Sequence, residues 1–93
     1  MTHRLLLGSG SLVAAVGKSL VERPGRLRVA TTDQRAADAL GEQSVPAEYF
    51  ETIDEGVLRS MDPPTVVGVF DERRDRNRQL ATIARAAFPD AEI

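Results

Sequence analysis

The chain has 93 residues, of which 42% are apolar and 28% charged, with a formal net charge of −2 and no cysteine. That length sustains one hydrophobic core but leaves no room for a catalytic domain beside a substrate domain, and the composition excludes a disordered tail or a fibrous repeat. Acids and bases are mixed along the chain, so no strong field draws in nucleic acid, and the missing cysteines remove disulfides, zinc–thiolate sites and thiol catalysis.

Leu5-Leu6-Leu7 predicts a first strand that runs directly into Gly8-Ser9-Gly10. Ser11 is placed to cap a helix reaching about Arg23, with Val13, Val16 and Leu20 on one face and Pro24-Gly25 to stop it. Leu27–Thr31 predicts the second strand. Thr32 or Asp33 then starts a short helix through "QRAADALGE", with Ala36, Ala37 and Leu40 on its apolar side and Gly41 placed to end it. Ser44–Tyr49 is a weaker third strand; Asp54 caps a short helix "EGVLRSM", and Asp62-Pro63-Pro64 turns the chain out of it. The unbroken "VVGVF" within Thr65–Phe70 predicts a fourth strand buried on both faces. A last helix from about Asp75 to Ala87 carries Leu80, Ile83, Ala84 and Ala87 at helical spacing, and the final "AEI" reads as the start of a fifth strand.

Strands alternating with helices in this order predict an α/β chain: a single domain, 1–93, with a Rossmann-like three-layer fold around a parallel sheet. Because that topology ordinarily carries on, the expectation is a lobe truncated after the start of its fifth strand, with a fused downstream domain in a longer protein. No apolar run approaches the ~20 residues of a membrane span. Met1-Thr2-His3-Arg4 leads into a strand and not into a signal peptide, so a cytoplasmic location without membrane insertion is expected.

Two phosphate-binding loops compete for residues 5–20. Gly17-Lys18-Ser19 has the ending of a nucleoside-triphosphate P-loop, but the glycine that lets such a loop curl around phosphates should stand at position 12, where the chain has Leu12. Lys18 would also fall inside the first helix and not at its start. Gly8 and Gly10 instead sit between a strand and a helix, where the N-terminal N–H groups of the helix can hold a pyrophosphate. The third glycine of that fingerprint is replaced by Val13, and Gly17, one turn later, is the candidate to restore close packing. An acid at the end of the second strand should bond a ribose hydroxyl; Thr31 and Thr32 take the expected places, and the acid follows as Asp33, a candidate both for the ribose and for a helix cap. A turn that only joins strand to helix is the simpler reading of the same glycines.

Taken together, the strand, Gly8-Ser9-Gly10, the second strand ending near Asp33, "FETIDEGVL" at 50–58 and "DERRDRN" at 71–77 resemble the TrkA-N or RCK family, the nucleotide-binding regulatory lobes of potassium transport systems. The resemblance covers nearly the whole chain. It implies an adenine nucleotide, NAD(H) or ATP/ADP, held by Gly8, Ser9, Gly10, Ser11, Thr31, Thr32 and Asp33, with Glu51 near the adenosine and Phe70 at the cleft. "VERPGRL" and "AFPDAEI" further resemble the TrkA-N module that precedes a DHH phosphoesterase domain in archaeal exopolyphosphatase-related proteins. Val13, the threonines in place of the ribose acid, and the bulky Phe70 depart from the family pattern, and each touches the cleft.

The remaining candidates are thin. His3 is the lone histidine and reads as a surface residue, so no catalytic triad or multi-histidine metal site is available. Asp71, Glu72 and Asp75 follow the fourth strand, where a divalent metal is conceivable, but interleaved Arg73, Arg74, Arg76 and Arg78 favour a solvated, self-paired loop and no metal. Tyr49 reads as core or cleft wall. The expectation is a nucleotide sensor and not an enzyme, with no catalytic residue and a homodimer as the implied assembly. The alternatives are the non-catalytic front end of a phosphoesterase and a ligand-free dimerisation module.

Overall fold

The computed structural model describes residues 2–93. Its elements are β1 (His3–Leu7), α1 (Ser11–Leu20), β2 (Arg26–Thr31), α2 (Gln34–Glu42), β3 (Ala47–Tyr49), α3 (Glu55–Arg59), β4 (Val66–Val69) and α4 (Arg74–Ala87). The four strands form one parallel sheet in the order β3-β2-β1-β4, with Leu6 of β1 opposite Val29 of β2 on one side and Gly68 of β4 on the other. Beyond β4, Glu92 makes a parallel bridge to Val66, accepting from Val67 N–H at 2.7 Å and donating to Thr65 C=O at 3.0 Å. The fold is the expected Rossmann-like α/β arrangement.

Alternation along the strands builds the three layers. Leu6, Leu27 and Val29 face one way and pack with Val13 of α1 and with Ala36 and Leu40 of α2. Leu5, Leu7, Ala30 and Val67 face the other way, against Leu58 of α3 and Leu80 and Ala84 of α4. Right-handed crossovers explain the division: the chain steps outward from β1 through β2 to β3 with its helices on one face, then returns to β4 with its helices on the other. The reversal leaves a crevice between the carboxyl ends of β1 and β4, where open α/β sheets bind ligands.

Gly17 does restore close packing. A Cβ there would lie 2.9 Å from Leu40 Cδ2 and 3.6 Å from Val29 Cγ2, so the missing side chain lets α1 settle against both α2 and the sheet. Val13, at the place of the third fingerprint glycine, is wholly buried in that same layer.

Several local expectations are corrected. Gly10, not Ser11, occupies the cap position of α1, and Ser11 is the first helical residue. Helix α2 runs through Gly41 to Glu42; the left-handed residue beyond it is Ser44, at φ 60°. The third strand shortens to three residues because the chain is still leaving that turn at Val45. The first strand starts earlier than the leucines. Thr2 C=O accepts from Arg26 N–H and His3 C=O from Thr65 N–H, and this pairing draws His3 into the structure at 7% exposure. Its ring Nδ1 donates to Pro63 C=O at 3.3 Å, so His3 is a structural residue and not a surface one. No helix among the described residues is long and apolar enough to cross a membrane.

Candidate functional site

The turn from β1 to α1 is built by its two glycines. Gly8 has φ 150°, and a Cβ there would stand 2.4 Å from the carbonyl oxygen of Phe70, backbone against backbone. Gly10 has φ 86° and ψ −165°, a conformation that side chains disfavour, and a Cβ would meet the carboxylate of Glu72 at 2.4 Å. The glycines thus allow β1 to run close under the end of β4 and allow an acid to approach the first turn of α1.

That acid completes an arrangement of donors and acceptors around the turn. Glu72 Oε1 accepts from the backbone N–H of Ser11 at 2.9 Å and from its hydroxyl at 2.7 Å. Asp33 Oδ2 accepts from Gly10 N–H at 3.2 Å, while its Oδ1 accepts from Arg35 N–H and Ala36 N–H and so caps α2. The two roles weighed for Asp33 therefore meet a third: both its oxygens are committed within the chain. Ser9 Oγ and Thr32 Oγ1 lie 2.8 Å apart and share a hydrogen bond between the segments that follow β1 and β2.

Glu72 is carried on a turn pinned from both sides. Asp71 N–H donates to Asn77 Oδ1 at 2.7 Å, Asn77 Nδ2 donates back to Asp71 C=O at 2.8 Å, and Asp71 Oδ1 accepts from Arg73 N–H at 2.9 Å. The Glu72 carboxyl is held below the ordinary carboxylate range, first by the Ser11 hydroxyl and then by the Ser11 N–H, against partial desolvation and the charge of Asp33.

An open cleft of about 460 Å³ lies over this turn, lined by Ser9, Gly10, Thr32, Asp33, Gln34, Tyr49, Asp71, Glu72 and Arg73. The expected binding residues are distributed around it unevenly. Ser9, Gly10, Thr32 and Asp33 line the cleft; Gly8 and Ser11 adjoin it through the turn and the Glu72 contact. Thr31 is wholly buried, its hydroxyl accepting from Asp33 N–H at 3.0 Å. Glu51 is exposed on the segment after β3 and is not among the lining residues. The ring of Phe70 lies over Gly68, whose Cβ would come within 2.5 Å of Phe70 Cε2, and packs with the α1–α2 layer. Phe70 thus meets the crevice through its backbone carbonyl.

Tyr49 and Arg73 gain weight. Tyr49 is 42% exposed and forms a wall of the cleft; no local pattern separates such a strand-end tyrosine from a core one. Arg73 has a side chain 77% exposed, and Asp71 Oδ1, 3.9 Å from its Nε, is its only acidic neighbour within 4.0 Å among the described residues. The expected self-pairing of the arginine loop is otherwise not found among the described residues. Helix α4 begins at Arg74, so the side chains of Arg74, Arg76 and Arg78 radiate around its axis, and Arg76 donates to Gln79. No group of three or more acids and histidines is gathered as a metal site among the described residues. A larger groove, about 640 Å³, runs along the open edge of β4 beneath α4, lined in part by Val67, Val69, Ala81 and Ile93. It lacks the helix N-terminus and glycine turn of the crevice, and its Asn77 is already spent on Asp71.

Comparison with protein-family models, with curated proteins and with solved structures gave no match.

Proposed function

We propose that the chain is a regulatory lobe that binds an adenine nucleotide, NAD(H) or ATP/ADP, with its phosphates at the first turn of α1. The observation that carries this reading is that the turn already acts as an anion site. Two donors of Ser11 hold a carboxylate at hydrogen-bond distance, at the start of a ten-residue helix and at the reversal of strand order. A helix N-terminus favours any anion with the right reach, and a phosphate meets the same donors as a carboxylate. Tyr49 supplies a face for the base and Arg73 a cation on the cleft wall.

Regulation, and not turnover, is the role this geometry supports best. The anion contact joins the first turn of α1 to the turn before α4, so occupancy of the cleft changes how two elements on opposite faces of the sheet are held together. A downstream domain or a second copy of the chain would read that change.

A second reading has its own observation. Because Glu72 and Asp33 together satisfy Ser11 and Gly10, the turn is complete without a ligand, as a dimerisation module that kept the fold would be. Calorimetric titration of the chain with NADH and with ADP separates the two. Saturable binding that weakens in Tyr49→Ala supports the nucleotide lobe; no heat with either nucleotide supports the ligand-free module.

A further inference from the structure

We infer that the open edge of β4 is a docking site for an extended acidic peptide, which adds to the sheet as its next strand beneath Arg78 and Arg85 of α4. The site shares no residue with the crevice over the first turn of α1.

The backbone of β4 offers a free ladder on its outer side. Phe70 N–H donates inward to Leu7 C=O, whereas Val67 N–H donates outward to Glu92 C=O at 2.7 Å. The two-residue period of a strand then turns Val69 outward as well. Glu92, which also donates to Thr65 C=O, shows that a parallel segment seats on this edge. Its pairing is a single bridge at Val66, so Val67 C=O and both backbone groups of Val69 have no hydrogen-bond partner among the described residues. An edge of this kind takes up a strand through main-chain hydrogen bonds, and the side chains around it select which strand.

Those side chains select for acids. Arg78 and Arg85 stand about two turns apart on one face of α4, both exposed, and both line the groove of about 640 Å³ along the edge. Neither has a carboxylate within 4.0 Å among the described residues, although Arg26, Arg28 and Arg59 are each paired with one. The other polar side chains of the groove are engaged already: Asn77 with Asp71, and Thr82 with Arg78 C=O. A strand added in the parallel sense of Glu92 turns the residues beside Val67 and Val69 toward α4, where a glutamate or aspartate meets a guanidinium. Its alternate residues, beside Gly68, point toward the Phe70 ring, where apolar side chains fit. The two arginines are isolated points of charge and not a broad field, because Asp71, Glu72, Asp75, Asp90 and Glu92 belong to the same part of a chain whose net charge is −2. Spaced acids on a peptide suit them better than the continuous charge of a nucleic acid.

The test titrates the uniformly labelled chain with three synthetic peptides, read by amide NMR and hydrogen exchange: alternating valine and glutamate, alternating valine and lysine, and the glutamate peptide N-methylated at its valines. The glutamate peptide is expected to shift Val67, Gly68 and Val69 saturably and to slow exchange at the Val69 amide, while the other two bind at least roughly tenfold more weakly. Replacing the two exposed side chains together, Arg78→Ala with Arg85→Ala, is expected to weaken the glutamate peptide roughly tenfold, the scale of two exposed ion pairs. Equal binding of the lysine or the N-methylated peptide overturns the assignment, as does the absence of any shift at Val67, Gly68 and Val69. A single-stranded oligonucleotide that shifts the Arg78 and Arg85 side chains where the glutamate peptide does not would give the groove to nucleic acid instead. Val69 protection that rises with chain concentration, without peptide, would give the edge to a second copy.

Discussion

Glu72 holds Ser11 by two hydrogen bonds to one carboxylate oxygen, 2.9 Å from the backbone nitrogen and 2.7 Å from the hydroxyl, across 61 residues of chain. This pair lies at the end of the sheet where the chain leaves β1 and β4 for opposite faces, and it ties α1 on one face to the turn leading into α4 on the other.

The pair has a pH signature. Hydrogen bonds from Ser11 hold the Glu72 carboxyl below its ordinary value. A group depressed in the folded state stabilises fully above its unfolded value, and that contribution is lost as pH falls through the folded one. Glu72→Gln is therefore expected to melt lower than the parent at pH 7, with the gap closing below about pH 4. Thermal melts of both chains at pH 7 and pH 3 check this, and a gap that does not change with pH contradicts it.

Asp33 binds two elements at once, and its removal has two costs. Asp33→Ala loses the cap of α2, worth about 1 kcal/mol, and leaves Gly10 N–H without its acceptor. Asp33→Asn keeps an oxygen for the cap and is expected to lose less than half as much. Urea denaturation of the two variants orders them; equal losses would mean that charge, and not hydrogen bonding, is what Asp33 contributes.

Two helical glycines behave oppositely. At Gly41 a Cβ meets nothing within 4 Å, so Gly41→Ala is expected to stabilise by about 0.5–1 kcal/mol through helix propensity. At Gly17 a Cβ presses on Leu40, which is itself wholly buried, and overpacking of about 1–3 kcal/mol outweighs the propensity gain. Denaturation midpoints of the two variants should move in opposite directions from the parent.

Phe70 tests where the cleft ends. Its ring covers Gly68 and packs in the α1–α2 layer, so Phe70→Ala is expected to lower stability by about 2 kcal/mol for a half-buried aromatic while leaving any ADP affinity unchanged. Calorimetry beside denaturation separates the two effects; an affinity change in either direction would mean that the ring reaches the ligand.

What the sequence made legible is what local spacing encodes. Leu5-Leu6-Leu7 before Gly8-Ser9-Gly10, the 3.6 period of Leu80, Ile83, Ala84 and Ala87, and the caps Asp33 and Asp54 each act within a few residues, so strand, turn and helix could be read together with the parallel sheet they imply. Contacts between distant segments were not legible. Glu72 belonged to an acid–arginine run with no sign that its partner was Ser11. The direction of the Phe70 ring depends on Gly68 leaving space beneath it, and the burial of His3 depends on pairing with both β2 and β4. In the cleft, Ser9, Gly10, Thr32 and Asp33 followed from their place at strand ends. Thr31 shares that place but is wholly buried, its hydroxyl turned to the Asp33 N–H at the start of α2 and not to the cleft.

The central claim is that an adenine nucleotide sits at the first turn of α1, and amide NMR of the uniformly labelled parent chain titrated with ADP tests it most directly. Saturable shifts at Gly8, Ser9, Gly10, Ser11 and Asp33, with Glu72 moving in step as its carboxylate leaves Ser11, are the predicted result. A spectrum unchanged at millimolar ADP, or shifts gathered instead along Val67, Val69 and Ala81 at the open edge of β4, would contradict it.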